Sequence, residues 1–430
     1  MVLDPSRGLV RSFANNPPYY DEPKLYCIAA LLDLPMRIQL HAEQVAPDLG
    51  LGHAGGASLD KERAMWKVAG EAAERYSLLV DDAKPILSDF HSLGQSGAVD
   101  PNSIVAGTDR KIADRRSTKI YWLSGSALAD GSDRWIPYQL IAVPHLFVDE
   151  ETVWRAPITT GAAAAFSAEE ALYEGLCEVI ERDAFMISWL RQLQLARVAR
   201  LPESGKDPLV SLLARTVAST LRYKLRPEFY VLPTGLPVSC IMCLLWDDTG
   251  LGPPVTIGTK ASWNISLSML GALEEALQER PWIRRIHARR STVTRENDRR
   301  IETLTDRASL WLSKEAGVIL QNWVEESSAL VASESLYDEC KPCSLRDLTL
   351  AIESQGATVY AVDLSLYLPD KIRELGIQAT KIVIPEYQPL YLIEELTDYS
   401  WDRLVSAEER LGTRAAQPSS VPFSFPHPLL

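Results

Sequence analysis

The chain has 430 residues, 46% of them apolar, and a formal net charge of −13. That length allows one large α/β unit or two fused halves, and the acidity argues against general nucleic-acid binding. No apolar run approaches a membrane span and no basic-then-apolar signal opens the chain, so a cytoplasmic protein free of membrane and nucleic acid is expected.

In chain order, residues 1–24 read as polar and irregular around Pro17 and Pro18. The apolar density of 25–41 predicts a strand. Gly52, Gly55 and Gly56 then read as a glycine-rich loop before a helix over 59–79, with Ser58 as its N-cap. Such a loop is a generic anion cradle, and a flexible connector fits equally well. No Gly-x-x-x-x-Gly-Lys-Ser/Thr occurs, so this is not a P-loop protein. Residues 120–144 read as a hairpin turning at Asp130 to Asp133.

A long helix follows over 168–191. Ser167 stands at its N-cap, with Glu170 three positions on. Leu172, Leu176, Val179, Ile180 and Ala184 give it one apolar face. Strands are expected at 229–232 and 238–246 and a turn at 247–250, and residues 256–259 lead into a third helix. That helix runs on through Arg284, Arg285, Arg289 and Arg290, a basic face that reads as solvated or as a dock for an acidic peptide. Residues 291–330 look helical. Strands at 358–363 and 380–384 flank a short helix at 369–375. Strands alternating with helices argue α/β or α+β mixed layers.

The six cysteines include two Cys-x-x-Cys pairs, Cys240/Cys243 and Cys340/Cys343. A structural zinc site is one reading. Cys240 and Cys243 lie in a strand-like run, however, where residues three apart point to opposite faces, so buried thiols are expected there.

The chemistry-bearing signal is a recurring acidic pattern. Glu71, Glu74 and Arg75 repeat as Glu178, Glu181 and Arg182, an offset of 178 − 71 = 107 residues. A related set, Glu275, Gln278 and Arg280, lies on the third helix. Carboxylates three apart project from one side of a helix. On one helix that is an ordinary solvated face. On three helices facing each other it gathers acid and arginine in one cleft, which invites a hard divalent cation and phosphate.

These stretches resemble the YcaO family, ATP-using enzymes that activate a peptide backbone amide. The resemblance covers roughly 50–400 and rests on GEAAERY, on TTGAAAA followed by EEALYEGLCEVIERDA, on ALEEALQER, and on GATVYAVDLS and VIPEYQPL. It implies a YcaO-like fold, with helices packed on mixed sheets around an ATP cleft. The implied order is an N-terminal extension over 1–50, a catalytic domain over 51–410 and a proline-containing tail over 411–430. The resemblance also implies that Glu71, Glu74, Glu178 and Glu181 hold Mg²⁺, and that Ser58, Arg75, Arg182, Glu275, Gln278 and Arg280 complete the ATP site.

The chain departs from the family pattern at several positions. Thr160-Gly161 and Ala165-Phe166 stand where the family carries Asn-Gly and Gly-Asn. Lys67 stands where a small hydroxyl residue is common, and Gly271 where the third helix usually carries Arg. The prolines keep the tail extended, and a disordered end is the ordinary expectation for such a segment. Azoline-forming members end in a Pro-x-Pro-x-Pro tail that reaches the active site, and Pro426 and Pro428 match part of it.

The implied activity is an ATP-dependent cyclodehydratase making thiazoline or oxazoline from Cys, Ser or Thr of a precursor peptide. The implied partners are a ubiquitin-activating-like protein that binds the precursor's leader and a flavin-dependent azoline dehydrogenase. Thioamidation or amidine formation is the alternative chemistry, and a non-catalytic scaffold the alternative class.

Overall fold

The computed structural model describes residues 1–36, 38, 52–80, 83–94, 97–105, 114–145, 151–201, 207–290 (backbone only from 287), 301, 303–325, 330–331, 343–392, 394 and 399–429. The described residues form three sheets, two of which pack against one central helix. The first is antiparallel and joins β1 (Val10–Asn15), β2 (Tyr26–Leu32) and β3 (His53–Ser58). It leads into helix α1 (Lys61–Ser77). β2 stops at Leu32, well short of residue 41, shortly before Pro35, which has no N–H for a ladder.

A second sheet is ordered β4–β5–β13–β14–β7, with β6 alongside β5. Its strands are β4 (Ile86–Ser88), β5 (Ile120–Ala127), β6 (Asp133–Pro137), β7 (Ala162–Ala165), β13 (Tyr360–Asp363) and β14 (Gln378–Val383). The β5–β6 hairpin turns where expected, with Asp130 accepting from the Ser132 backbone and Gly131 at φ 71°. The third sheet runs β11–β10–β9–β8–β12, from β8 (Ala196–Val198), β9 (Leu225–Leu232), β10 (Ser239–Asp247), β11 (Val255–Ser262) and β12 (Leu330–Val331).

Helix α2 (Ala168–Arg191) starts as the sequence predicts, with the Ser167 hydroxyl accepting from the Glu170 N–H at 3.2 Å. Its packing differs from the single apolar face read from spacing. From Leu176 to Arg191 almost every side chain is buried, whichever way it points. The charges this encloses are paired. Asp183 receives Arg403 Nε at 2.7 Å and the Gln388 N–H at 2.9 Å, and Arg191 binds Glu408 and the Leu404 and Gln417 carbonyls. α2 is therefore the spine of one core, and a buried helix carries no amphipathic signature.

Helices α3 (Pro208–Arg222) and α4 (Ile265–Arg290) cover the other face of the third sheet. α5 (Leu304–Leu310), α6 (Lys314–Glu325) and α7 (Leu345–Ser354) close the outside. β10 separates the two cores, and its cysteines report the alternation directly. Cys240 packs beside α2 and Cys243 beside α4. Cys340 lies outside the described residues, so the second Cys-x-x-Cys reading has only Cys343, half-buried, to describe.

The tail is docked, contrary to the disorder expected of its composition. His427, Pro428 and Leu429 are buried. The His427 carbonyl accepts from Arg307 Nη1 at 2.9 Å and Trp311 Nε1 at 3.2 Å, and Trp189 Nε1 donates to the Phe425 carbonyl at 3.0 Å. Apolar side chains at Phe423, Phe425 and Leu429 offset the entropy of ordering the segment.

Candidate active site

Three strand–helix units share one construction, β3–α1, β7–α2 and β11–α4. In each, a glutamate ten or eleven residues into the helix reaches back to a backbone N–H at or just before its own strand. Gly55 N–H donates to Glu71 at 2.7 Å, Gly161 N–H to Glu178 at 3.1 Å, and Thr259 N–H to Glu275 at 2.6 Å. The sequence separations are 16, 17 and 16 residues. One carboxylate per helix is thus tied to a sheet. Gly161 has φ 88°, and a Cβ there would run into the Ile382 carbonyl, so this amide approaches the cleft only because the residue is glycine.

The units meet at their charges. Arg182 lies 3.4 Å from Glu181, 3.6 Å from Glu275 and 3.9 Å from Glu178. Arg63 and Lys67 of α1 both bind the fully buried Glu274 of α4, Lys67 at 2.7 Å. Burial, then the charges of Glu178 and Glu71, push the Glu74 carboxyl well above the usual carboxylate range. Burial and the neighbouring Glu181 likewise raise Glu178 and Glu275. Acids held this close resist full ionisation, and a divalent cation would relieve them.

The donor set is all oxygen, which suits a hard ion. Among the described residues no three acidic, histidine or cysteine side chains converge closely enough to hold a metal alone. That spacing fits an ion sharing its ligands between protein carboxylates and phosphate, as Mg²⁺ commonly does. Beside Arg182 opens a pocket whose walls include Thr160, Arg182, Lys381, Tyr387 and Gln388.

Glu71, Glu74, Glu178, Glu275, Arg75 and Arg182 form one connected cluster of charges, Arg75 pairing with Glu71 at 2.7 Å and Arg182 bridging Glu178 and Glu275. Gln278 joins them, since a Cβ on Gly55 would lie 3.0 Å from its Nε2. Glu181 takes a different post from the metal ligand expected. It is 2% exposed, and its oxygens accept from the Thr259 hydroxyl at 2.6 Å and the Ala261 N–H at 2.9 Å, so it anchors β11 to α2.

Arg280 does not face the cleft. In the first two motifs the arginine follows the strand-bound glutamate by four residues, but Arg280 follows Glu275 by five. The extra residue turns it about 100° around the helix. There it lies 1% exposed, bound to Glu22 at 3.0 Å and Asp247 at 2.8 Å. The four-residue position belongs to Glu279, which burial and Glu275 push well above the ordinary range.

Ser58 is also displaced from the expected role. It is fully buried and accepts from the Asp60 N–H at 3.1 Å, while Asp60 caps α1. Gly55 and Gly56 before it lie in strand β3 rather than in a loop. Their smallness serves close packing, because a Cβ on Gly56 would lie 2.7 Å from the Ala64 carbonyl. Of the basic run after Arg280, Arg284 is held by Asp21 and Glu22 and lies 4.4 Å over the Tyr19 ring. The side chains of Arg289 and Arg290 lie outside the described residues.

The sequence reading missed Lys381. Its Nζ donates to the Ile158 and Thr160 carbonyls, both at 2.7 Å, and so holds the turn before Gly161. Burial pulls its ammonium down to about 7 against the attraction of Glu178 and Glu74. The available signal was a lone lysine within the apolar run Ile377 to Ile384. Pro426 and Pro428 lie on a tail that descends along α2. Phe425 meets Trp189, and the His427 ring lies 6.3 Å from Phe185. Two tail residues pass each helical turn, so the path leads toward the turn bearing Glu181 and Arg182.

Among curated proteins, an uncharacterised protein in the tfuA 3′ region of Rhizobium leguminosarum bv. trifolii is 29% identical over 155 residues, 36% of this chain and 34% of that protein. The chain thus matches about a third of that relative's length. An uncharacterised Methanothermobacter thermautotrophicus protein is 25% identical over 352 residues, 79% of this chain and 82% of that one. A solved heterocyclase in complex with substrate and cofactor superposes with a TM-score of 0.73 at 16% identity, over 100% of this chain and 56% of that one. YcaO from Methanopyrus kandleri, bound with AMPPCP and Mg²⁺, gives 0.63 at 17% identity, over 92% and 91%. At these identities the structures establish the fold. A family model described as YcaO cyclodehydratase, ATP- and Mg²⁺-binding, matches residues 55–388, a span holding all three tethered glutamates, and the chain belongs to the YcaO family.

Proposed function

We propose that the chain is an ATP-dependent peptide cyclodehydratase. The observation that supports this reading is the charge cluster that links strand-tethered Glu71, Glu178 and Glu275 with Glu74 and Arg182, beside a pocket that Arg182 also lines. Glu71, Glu74 and Glu178 are the residues suited to hold Mg²⁺, which would neutralise the nucleotide phosphates. Arg75 and Arg182 add fixed positive charge beside them. A Cys, Ser or Thr side chain of the bound peptide attacks the preceding carbonyl carbon and loses its proton. The resulting oxyanion takes the γ-phosphoryl group from ATP, releasing ADP. Loss of phosphate and the amide N–H proton then leaves the azoline. An amide oxygen is a poor leaving group and its phosphate ester a good one, so the protein's work is positioning and charge neutralisation.

The tail path toward Glu181 and Arg182 favours azoline formation over other backbone chemistries. A leader-binding partner protein supplies precursor recognition in this reading, and a flavin-dependent dehydrogenase acts later on the azolines. The test is ATP-dependent mass change of a co-expressed precursor. Loss of one water per ring supports the reading. Exchange of oxygen for sulfur redirects it to thioamidation, and absence of ATP turnover with any partner leaves a scaffold.

A further inference from the structure

The three units carry different residues one turn before their strand-bound glutamates: Lys67 (71 − 4) on α1, Glu174 (178 − 4) on α2, and Gly271 (275 − 4) on α4. Two of these positions are charged and the third is bare. The space over Gly271 is filled from the neighbouring strand. A Cβ on Gly271 would lie 2.8 Å from Lys260 Cγ and 3.1 Å from Lys260 Cβ, so the lysine stem lies directly on the glycine. Lys260 Nζ then reaches Glu174 Oε2 at 3.0 Å. Its chain neighbours fix the site's carboxylates, since Thr259 N–H binds Glu275 and Ala261 N–H binds Glu181. Glycine is the weakest helix former after proline, yet Gly271 sits inside α4, where Lys260 explains it.

Four neighbouring cations are committed, Arg75 among them through Glu71 at 2.7 Å. Lys67 is bound to a fully buried carboxylate, Lys381 to two backbone carbonyls, and Arg182 to three glutamates. Lys260 is paired to the most open of these partners, as the Glu174 side chain is 40% exposed. The Glu174 charge holds the Lys260 ammonium above its ordinary value, yet the two side chains are 29% and 40% exposed, so a more highly charged anion such as a nucleotide phosphate can reach the pair and compete for it.

We propose that Lys260 supplies, from β11, the positive charge that α4 lacks at Gly271. Glu174 holds it in place until it transfers to the phosphate chain of a bound nucleotide. This rests on the nucleotide reading above and names one further binding residue for it.

The test measures binding of Mg²⁺ and a non-hydrolysable ATP analogue to the full chain, alongside urea unfolding. Lys260→Met keeps the stem over Gly271 and removes the charge. It is expected to weaken binding about tenfold, the equivalent of 1.4 kcal/mol, with an unchanged urea midpoint, while Lys260→Arg binds as wild type does. Lys260→Ala/Gly271→Arg, which moves the charge to the helix and clears its path, is expected to recover most of the affinity. The proposal is overturned if Lys260→Met binds like wild type. It is also overturned if affinity falls only together with the urea midpoint in both Met and Arg variants, or if the double variant stays as weak as Lys260→Met. A wild-type protein that binds no nucleotide would overturn the nucleotide reading as well.

Discussion

Arg280→Met separates a structural arginine from a ligand-binding one. The wild-type guanidinium donates twice to Glu22 at 3.0 Å and once to Asp247 at 2.8 Å, and all three side chains are at most 3% exposed. Removing one partner from a buried charge group costs about 3–5 kcal/mol, chiefly because the remaining charges stay buried. Two features place this case at the low end. Glu22 retains Arg284 Nη1 at 2.7 Å, and Asp247 retains the Thr249 N–H at 2.7 Å. Arg280 Nη1 is itself buried without a hydrogen-bond partner among the described residues, so the wild-type arrangement already carries a cost. A loss of about 3 kcal/mol follows, read as a lower urea midpoint at constant m-value. Nucleotide affinity of the folded variant should match wild type. A variant with an unchanged midpoint and lost affinity would refute the reasoning and return Arg280 to the cleft.

Three further outcomes are expected. Glu178→Gln can still accept from the Gly161 N–H but loses its charge, so ATP consumption should fall about 100-fold with the circular dichroism spectrum unchanged; wild-type turnover would discard the metal assignment. Deleting residues 426–430 removes the acceptor for Arg307 and Trp311 and exposes the Leu429 site, and should lower stability by about 2–4 kcal/mol while reducing cyclisation more than nucleotide affinity. Unchanged product yield would show that the tail only packs. Burial and the Arg307 charge hold His427 well below its ordinary 6.5. The unfolded chain takes up a proton near 6.5 that the folded one refuses, so stability is lost as pH falls below that value. His427→Gln should flatten this part of the pH profile, and an equal slope in both proteins would contradict it.

Much of the site was legible because its chemistry is spaced by helix geometry. Glu71 with Glu74, Glu178 with Glu181, and Glu275 with Gln278 all announce one helix side. What stayed hidden depended on tertiary partners. Nothing local distinguishes Glu178, tied to one amide, from Glu181, which accepts two hydrogen bonds from β11. The Arg280 error was readable, since one extra residue changes the direction a helical side chain faces. α2 looked amphipathic by its spacing because the partners of Asp183 and Arg191 lie more than 200 residues away. Gly55 and Gly56 read as a loop because a strand pressed against a helix and a flexible connector both favour missing side chains. The tail's order likewise depends on Trp189, Arg307 and Trp311, which no local pattern connects to it.

Because Glu71, Glu178 and Glu275 are each moored to a backbone amide, the gauge of the hollow is set by the strands and not by how the helices settle against one another. Small drifts in helix packing leave the three carboxylates where they are. β3, β7 and β11 are each the edge strand of their sheet, so a one-residue slip would instead turn the mooring amide inward to the neighbouring strand and cast its glutamate loose. Selection should therefore bear hardest on strand register, several ångströms from any reacting atom, and forgive repacking of the helix surfaces nearer to the chemistry.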